Sequence, residues 1–134
     1  MNVKTWLNRA KNIDREINHL VEERDKEYAR LTSITPSYTA DTVQSSKDPH
    51  KFDRLAEYEA EIDRQIDNLL AVKTEIITGI AKLDDGRHRE ILMGRYIENL
   101  TFEEIAVRIH YSYKQTCRLH GRALLKMEVV INGG

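Results

Sequence analysis

The 134-residue chain has 21 basic and 22 acidic side chains, a formal net charge of −1, with 32% of residues charged and 40% hydrophobic. This composition, rich in helix formers, predicts an all-α protein, and the length predicts one domain or one small domain carried on an extended arm. No apolar run nears the ~20 residues of a membrane span, the N-terminus lacks the apolar stretch of a secretory signal, and the lone Cys117 excludes an intramolecular disulfide framework and a cysteine-based zinc site, so the expectation is a cytoplasmic protein with no membrane contact.

Charge divides the chain unevenly. Residues 1–83 carry a net −2 and residues 84–134 a net +1. Residues 33–49 hold both prolines and many Ser and Thr, and read as a linker. Before it, a first helix is expected over Val3 to Leu31, with apolar side chains at Trp6, Ala10, Ile13, Ile17, Leu20, Tyr28 and Leu31 at steps mostly of three and four. Arg24 interrupts that seam. After it, a second helix is expected to begin near Pro49 with Asp48 as N-cap. Its seam is cleaner, running through Leu55, Tyr58, Ile62, Ile66, Leu69, Lys73, Ile76, Ile80 and Leu83. Gly79, at a cost of about 1 kcal/mol relative to Ala, is expected to soften the last turns. Each helix of roughly 30 residues is ~45 Å long and cannot bury a single stripe alone. Residues 1–83 are therefore expected to form a coiled-coil-like helical hairpin, with pairing between chains as the open alternative.

The C-terminal unit, residues 84–134, carries the functional signal. Asp84 and Asp85 are placed to cap a helix over about 86–98, with Ile91, Leu92, Tyr96 and Ile97 inward. Thr101 and Glu104 form a capping box for a short helix whose apolar face is Ile105, Ala106 and Ile109. After His110 and Tyr111, Ser112 and Gln115 form a second box and start a helix to about Glu128. Three helices with so short a turn between the last two make a helix-turn-helix pattern.

The last helix has two opposed stripes. Thr116, His120, Ala123, Leu124 and Met127 share one face. Lys114, Arg118, Arg122 and Lys126, each four apart, begin ~200° away. With no acid between Ser112 and Lys126, the cations repel one another and gain nothing from i,i+4 pairing. A phosphate-rich partner relieves that repulsion, and Tyr113, Lys114, Gln115 and Arg118 occupy the N-terminal half that reaches base edges in a major groove.

Arg95-Tyr96, Leu100 through Ala106, Ser112 and Arg122-Ala123-Leu124 follow in order, without a gap, a pattern that resembles region 4 of sigma-70-type factors. The wording around Ser112-Tyr113-Lys114-Gln115 and Arg118 to Leu124 is similar to ArpU/RinA-type phage transcriptional regulators, which place a helical region before a sigma-region-4-like domain. The resemblance implies a phage or prophage activator that binds double-stranded DNA near host RNA polymerase. Two departures stand out: His110 occupies a turn position where such domains use Gly, and no region 2 is recognisable.

Simpler readings compete at several positions. The basic stripe also fits a solvated face, His120 fits a packed core histidine, Cys117 a bystander and Tyr111 a core residue. Glu103 and Glu104 are neighbours that point ~100° apart, and the single Glu16-x-x-His19 lacks the second copy a di-iron bundle needs. No phosphate loop, nucleophile elbow or metal cluster appears in the sequence, so neither enzyme activity nor a cofactor is expected. The leading expectation is a dimeric DNA-binding transcriptional regulator using Tyr113, Lys114, Gln115, Arg118, Arg122 and Lys126. A phage small terminase subunit, which also joins a helix-turn-helix to long helices, is the alternative.

Overall fold

The computed structural model describes residues 2–32 and 49–133. Six α-helices and one π-helical turn follow in order among the described residues, with no strand. They are α1 (Val3–Asn8), α2 (Ile13–Thr32), α3 (Lys51–Ala81), α4 (Gly86–Leu92), the π-helical turn (Met93–Ile97), α5 (Phe102–Ile109) and α6 (Tyr113–Ile131). The chain is all-α, with long N-terminal helices and a C-terminal helix-turn-helix. Two compact units form: residues 1–13 with 70–134, and residues 14–69.

The helix expected over Val3 to Leu31 is broken. Asn2 caps α1, its Oδ1 accepting from the Lys4 N–H at 2.8 Å. The backbone then tightens through bonds from Ala10 to Leu7, Lys11 to Asn8 and Ile13 to Ala10, each three residues long. Three-residue turns bring side chains at i and i+3 into line. That geometry buries Leu7, Ala10 and Ile13 together, at 0%, 4% and 2% exposure. Leu7 lies off the heptad seam, so periodicity does not predict it in the core.

In the unit of residues 14–69, α2 runs antiparallel to α3: Arg24 meets Asp63 at 3.2 Å, and Arg15, Glu16, His19 and Leu20 share an apolar hollow with Gln65 and Leu69. Arg24, the interruption in the first seam, is thus an ion-pair partner. Leu55 and Ile62 are the buried members of the second seam here. The α3 helix starts later than expected. The His50 carbonyl accepts the first helical bond, from Arg54, so Pro49 precedes the helix. Asp48 and nearly all of the 33–49 linker lie outside the described residues.

The other unit takes in more chain than residues 84–134. Leu7 of α1 and Ile76 and Ile80 of α3 are as buried as Met127 of α6. Gly79 lets the Trp6 ring and the Met127 methyl approach this end of α3, and a Cβ there would stand 2.8 and 2.9 Å from them. The expected helix over 86–98 is α-helical only to Leu92. It then widens, with Glu98 N–H bonding the Met93 carbonyl at 2.9 Å. Ile91, Leu92, Tyr96 and Ile97 nevertheless all face inward.

Candidate nucleic-acid interface

Two local hydrogen-bond boxes set the reading geometry. The Thr101 hydroxyl accepts from Glu104 N–H at 3.1 Å while Glu104 Oε1 accepts from Thr101 N–H at 3.0 Å. The backbone bond to Thr101 holds the Glu104 carboxyl below the usual range. The Ser112 hydroxyl accepts from Gln115 N–H at 3.1 Å, and Gln115 Oε1 accepts from Ser112 N–H at 3.2 Å. Between the boxes, His110 takes the left-handed conformation (φ 61°, ψ 39°) that ends α5 and redirects the chain. Asn99 (φ 59°) makes the matching reversal ahead of α5; asparagine tolerates that region.

Ile91, Ile105, Ile109 and Leu119 form the core that fixes α6 against α4 and α5, with Leu100, Phe102 and Tyr111 packed on it. Tyr111 is thus half core: its hydroxyl accepts from Arg87 Nη1 at 3.2 Å. Arg87 also pairs with Asp85, whose carboxyl it holds well below its ordinary range. Arg108 grips both oxygens of Glu98 at 2.7 and 2.8 Å, tying α5 to the end of the π-helical turn.

The buried stripe of α6 is Thr116, Leu119, His120, Ala123 and Met127. Leu119 joins it by facing α4 and α5, while Leu124, expected there, is only half-buried. His120 is a packed core histidine. Its Nε2 lies 2.9 Å from the Tyr96 hydroxyl, and the edge of Phe102 approaches it with ring centroids 4.9 Å apart. Burial, reinforced by the positive charges of Lys4 and Arg95, pushes its pKa down to about 4. The ring is therefore neutral at pH 7.

All six residues singled out from the sequence are exposed: Tyr113, Lys114, Gln115, Arg118, Arg122 and Lys126. None of the four cations has a carboxylate partner among the described residues. Lys126 stands apart, lining a hollow with Asp84, Asp85 and His88. Gln115 has its carbonyl engaged in the capping box, leaving its amide N–H groups to donate outward. The neighbouring Cys117 thiol raises the phenol pKa of Tyr113. Among the described residues no group of His, Cys, Asp and Glu is arranged to hold a metal ion, and no helix is long and apolar enough to cross a membrane.

A short capped helix, a left-handed turn and a longer helix with an exposed cationic face define a helix-turn-helix of the DNA-binding class. Residues 79–128 match the family model of sigma-70, region 4, a DNA-binding domain. The match confirms the resemblance of residues 95–127 at the level of the domain. No curated protein matches the chain, and no solved structure matches it.

Proposed function

We propose that this protein is a DNA-binding transcriptional regulator of the ArpU/RinA phage type, acting in the cytoplasm of a bacterial host and reading double-stranded DNA with α6. The observation that supports this most is the row Lys114, Arg118 and Arg122: exposed, without carboxylate partners among the described residues, on the second helix of a helix-turn-helix. Tyr113, Lys114 and Arg118 contact base edges from the N-terminal half, Gln115 donates through its amide, and Arg122 continues the row. Lys126, further along, contributes through phosphate. Each side chain removed from a base contact costs about 1–3 kcal/mol, and each lost phosphate contact lowers the salt slope by about one. Footprinting and titration of Arg118→Ala with Arg122→Ala test this. The reading fails if the pair leaves affinity and footprint unchanged.

One recognition helix reads only a few base pairs, too few to select one site in a genome. Residues 1–83 are slightly acidic and carry both apolar seams, so this region supplies self-association as a dimer, or contact with host RNA polymerase. Placing a charge on the α3 seam, as in Ile66→Lys, is expected to abolish dimerisation in sedimentation experiments. Light scattering separates the dimeric regulator from the ring expected of a terminase-like packaging subunit.

A further inference from the structure

We infer that α1 adds a backbone-phosphate clamp to the DNA interface, through a cationic hollow rimmed by Lys4, Lys11 and Arg95. This inference rests on the DNA-binding reading above and extends it outside the family match, which begins at residue 79. The hollow, about 270 Å³, is also lined by Asn8, Cys117 and His120, with no carboxylate in its lining. Three arginines of the same unit are paired instead. Arg9 pairs with Glu75 at 3.4 Å, Arg87 with Asp85 at 2.8 Å and Arg108 with Glu98 at 2.7 Å. Lys4, Lys11 and Arg95 have no carboxylate partner among the described residues.

Arg95 is held in place without being neutralised. Its guanidinium lies over the Phe102 ring at 4.7 Å, and Nη1 donates to the Leu100 carbonyl at 3.2 Å. The remaining donors of its fork are directed by that arrangement rather than by an ion pair. The field of the cluster is felt inside the unit, since Lys4 and Arg95 both disfavour a proton on His120. Three uncompensated cations around a neutral His120 attract an anion, and no carboxylate in the lining competes with it.

The hollow is continuous with the reading helix. Cys117, which lines it, precedes Arg118 and stands beside Tyr113, whose phenol also feels Arg95. An anion seated there lies beside the N-terminal half of α6, where the phosphodiester backbone flanks a groove occupied by that helix. The occupant is therefore a phosphate of the duplex that α6 reads.

The test uses the full-length chain with Lys4→Gln and Lys11→Gln together, two exposed positions, titrated onto a mixed-sequence duplex over a range of salt. Loss of two phosphate contacts is expected to lower the slope of log K against log salt by about two, with an affinity loss of tenfold or more at low salt. If the double variant fails to fold, Lys11→Gln alone, in the turn after α1, is expected to lower the slope by about one. A wild-type slope in a folded variant overturns the clamp while leaving the α6 reading intact. No salt-dependent DNA binding by the unaltered chain overturns both. Capture of inorganic phosphate by the hollow, with the DNA slope unchanged by the substitutions, also overturns the clamp.

Discussion

Gly79 shows how one missing methyl group can hold two elements together. In an isolated helix, Ala in its place would stabilise by about 1 kcal/mol. Here the added Cβ would meet the Trp6 ring at 2.8 Å and the Met127 methyl at 2.9 Å. Methionine can swing away, whereas the ring is rigid and seated. Overpacking of this kind costs typically 1–3 kcal/mol, which exceeds the propensity gain. Gly79→Ala is expected to lower the urea midpoint; a midpoint raised by the propensity gain alone would place Trp6 elsewhere. His120 carries a second residue-scale consequence. The unfolded chain binds its proton near the ordinary pKa of 6.5 and the folded chain only at about 4. Stability is therefore complete above pH 6.5 and falls as pH drops through that window, by up to about 1.4 kcal/mol per unit. Unfolding measured from pH 7.5 to 4 should show this slope in the wild type and a shallower one in His120→Leu.

At the scale of elements, the turn of the helix-turn-helix is held by local bonds and strained at one residue. His110 occupies a left-handed conformation that glycine adopts without steric cost. His110→Gly is expected to raise stability by about 1 kcal/mol, and a thermal melt checks the sign. This departure from the usual glycine of sigma-like turns is legible in the sequence, because the penalty belongs to the residue's own backbone. Ser112→Ala removes the hydroxyl that accepts from Gln115 N–H, at a cost of about 1 kcal/mol. It also frees Gln115, so amide exchange at the first turn of α6 is expected to quicken.

For the whole molecule, the compact unit that holds the helix-turn-helix also includes residues 1–13 and the end of α3. Residues 84–134 alone would leave Met127 without Trp6 and Gly79, and would expose the apolar side of α6 that α1 covers. Charge and motif boundaries in the sequence suggest that this fragment folds by itself. The packing predicts instead a fragment with helical signal but a broad, non-cooperative thermal transition. Circular dichroism of 84–134 against the full chain distinguishes the two outcomes.

The sequence alone determined the features whose causes lie within a few residues. Both capping boxes close over three residues, and the inward positions Ile91, Leu92, Tyr96 and Ile97 follow from one helix's periodicity. The exposed row from Lys114 to Arg122 is legible for the same reason: a helix separates its faces whatever it packs against. The tertiary structure decided what depends on partners distant in the chain. Leu7 is core because α1 breaks from α2 and lies on α6. Leu119 displaces Leu124 from the buried stripe because α4 and α5 cover that side. Gly79 is a contact because Trp6 and Met127 meet there. Lys4, Lys11 and Arg95 share one hollow although more than eighty residues separate the last two, and periodicity along one helix holds no record of a neighbour that only packing supplies.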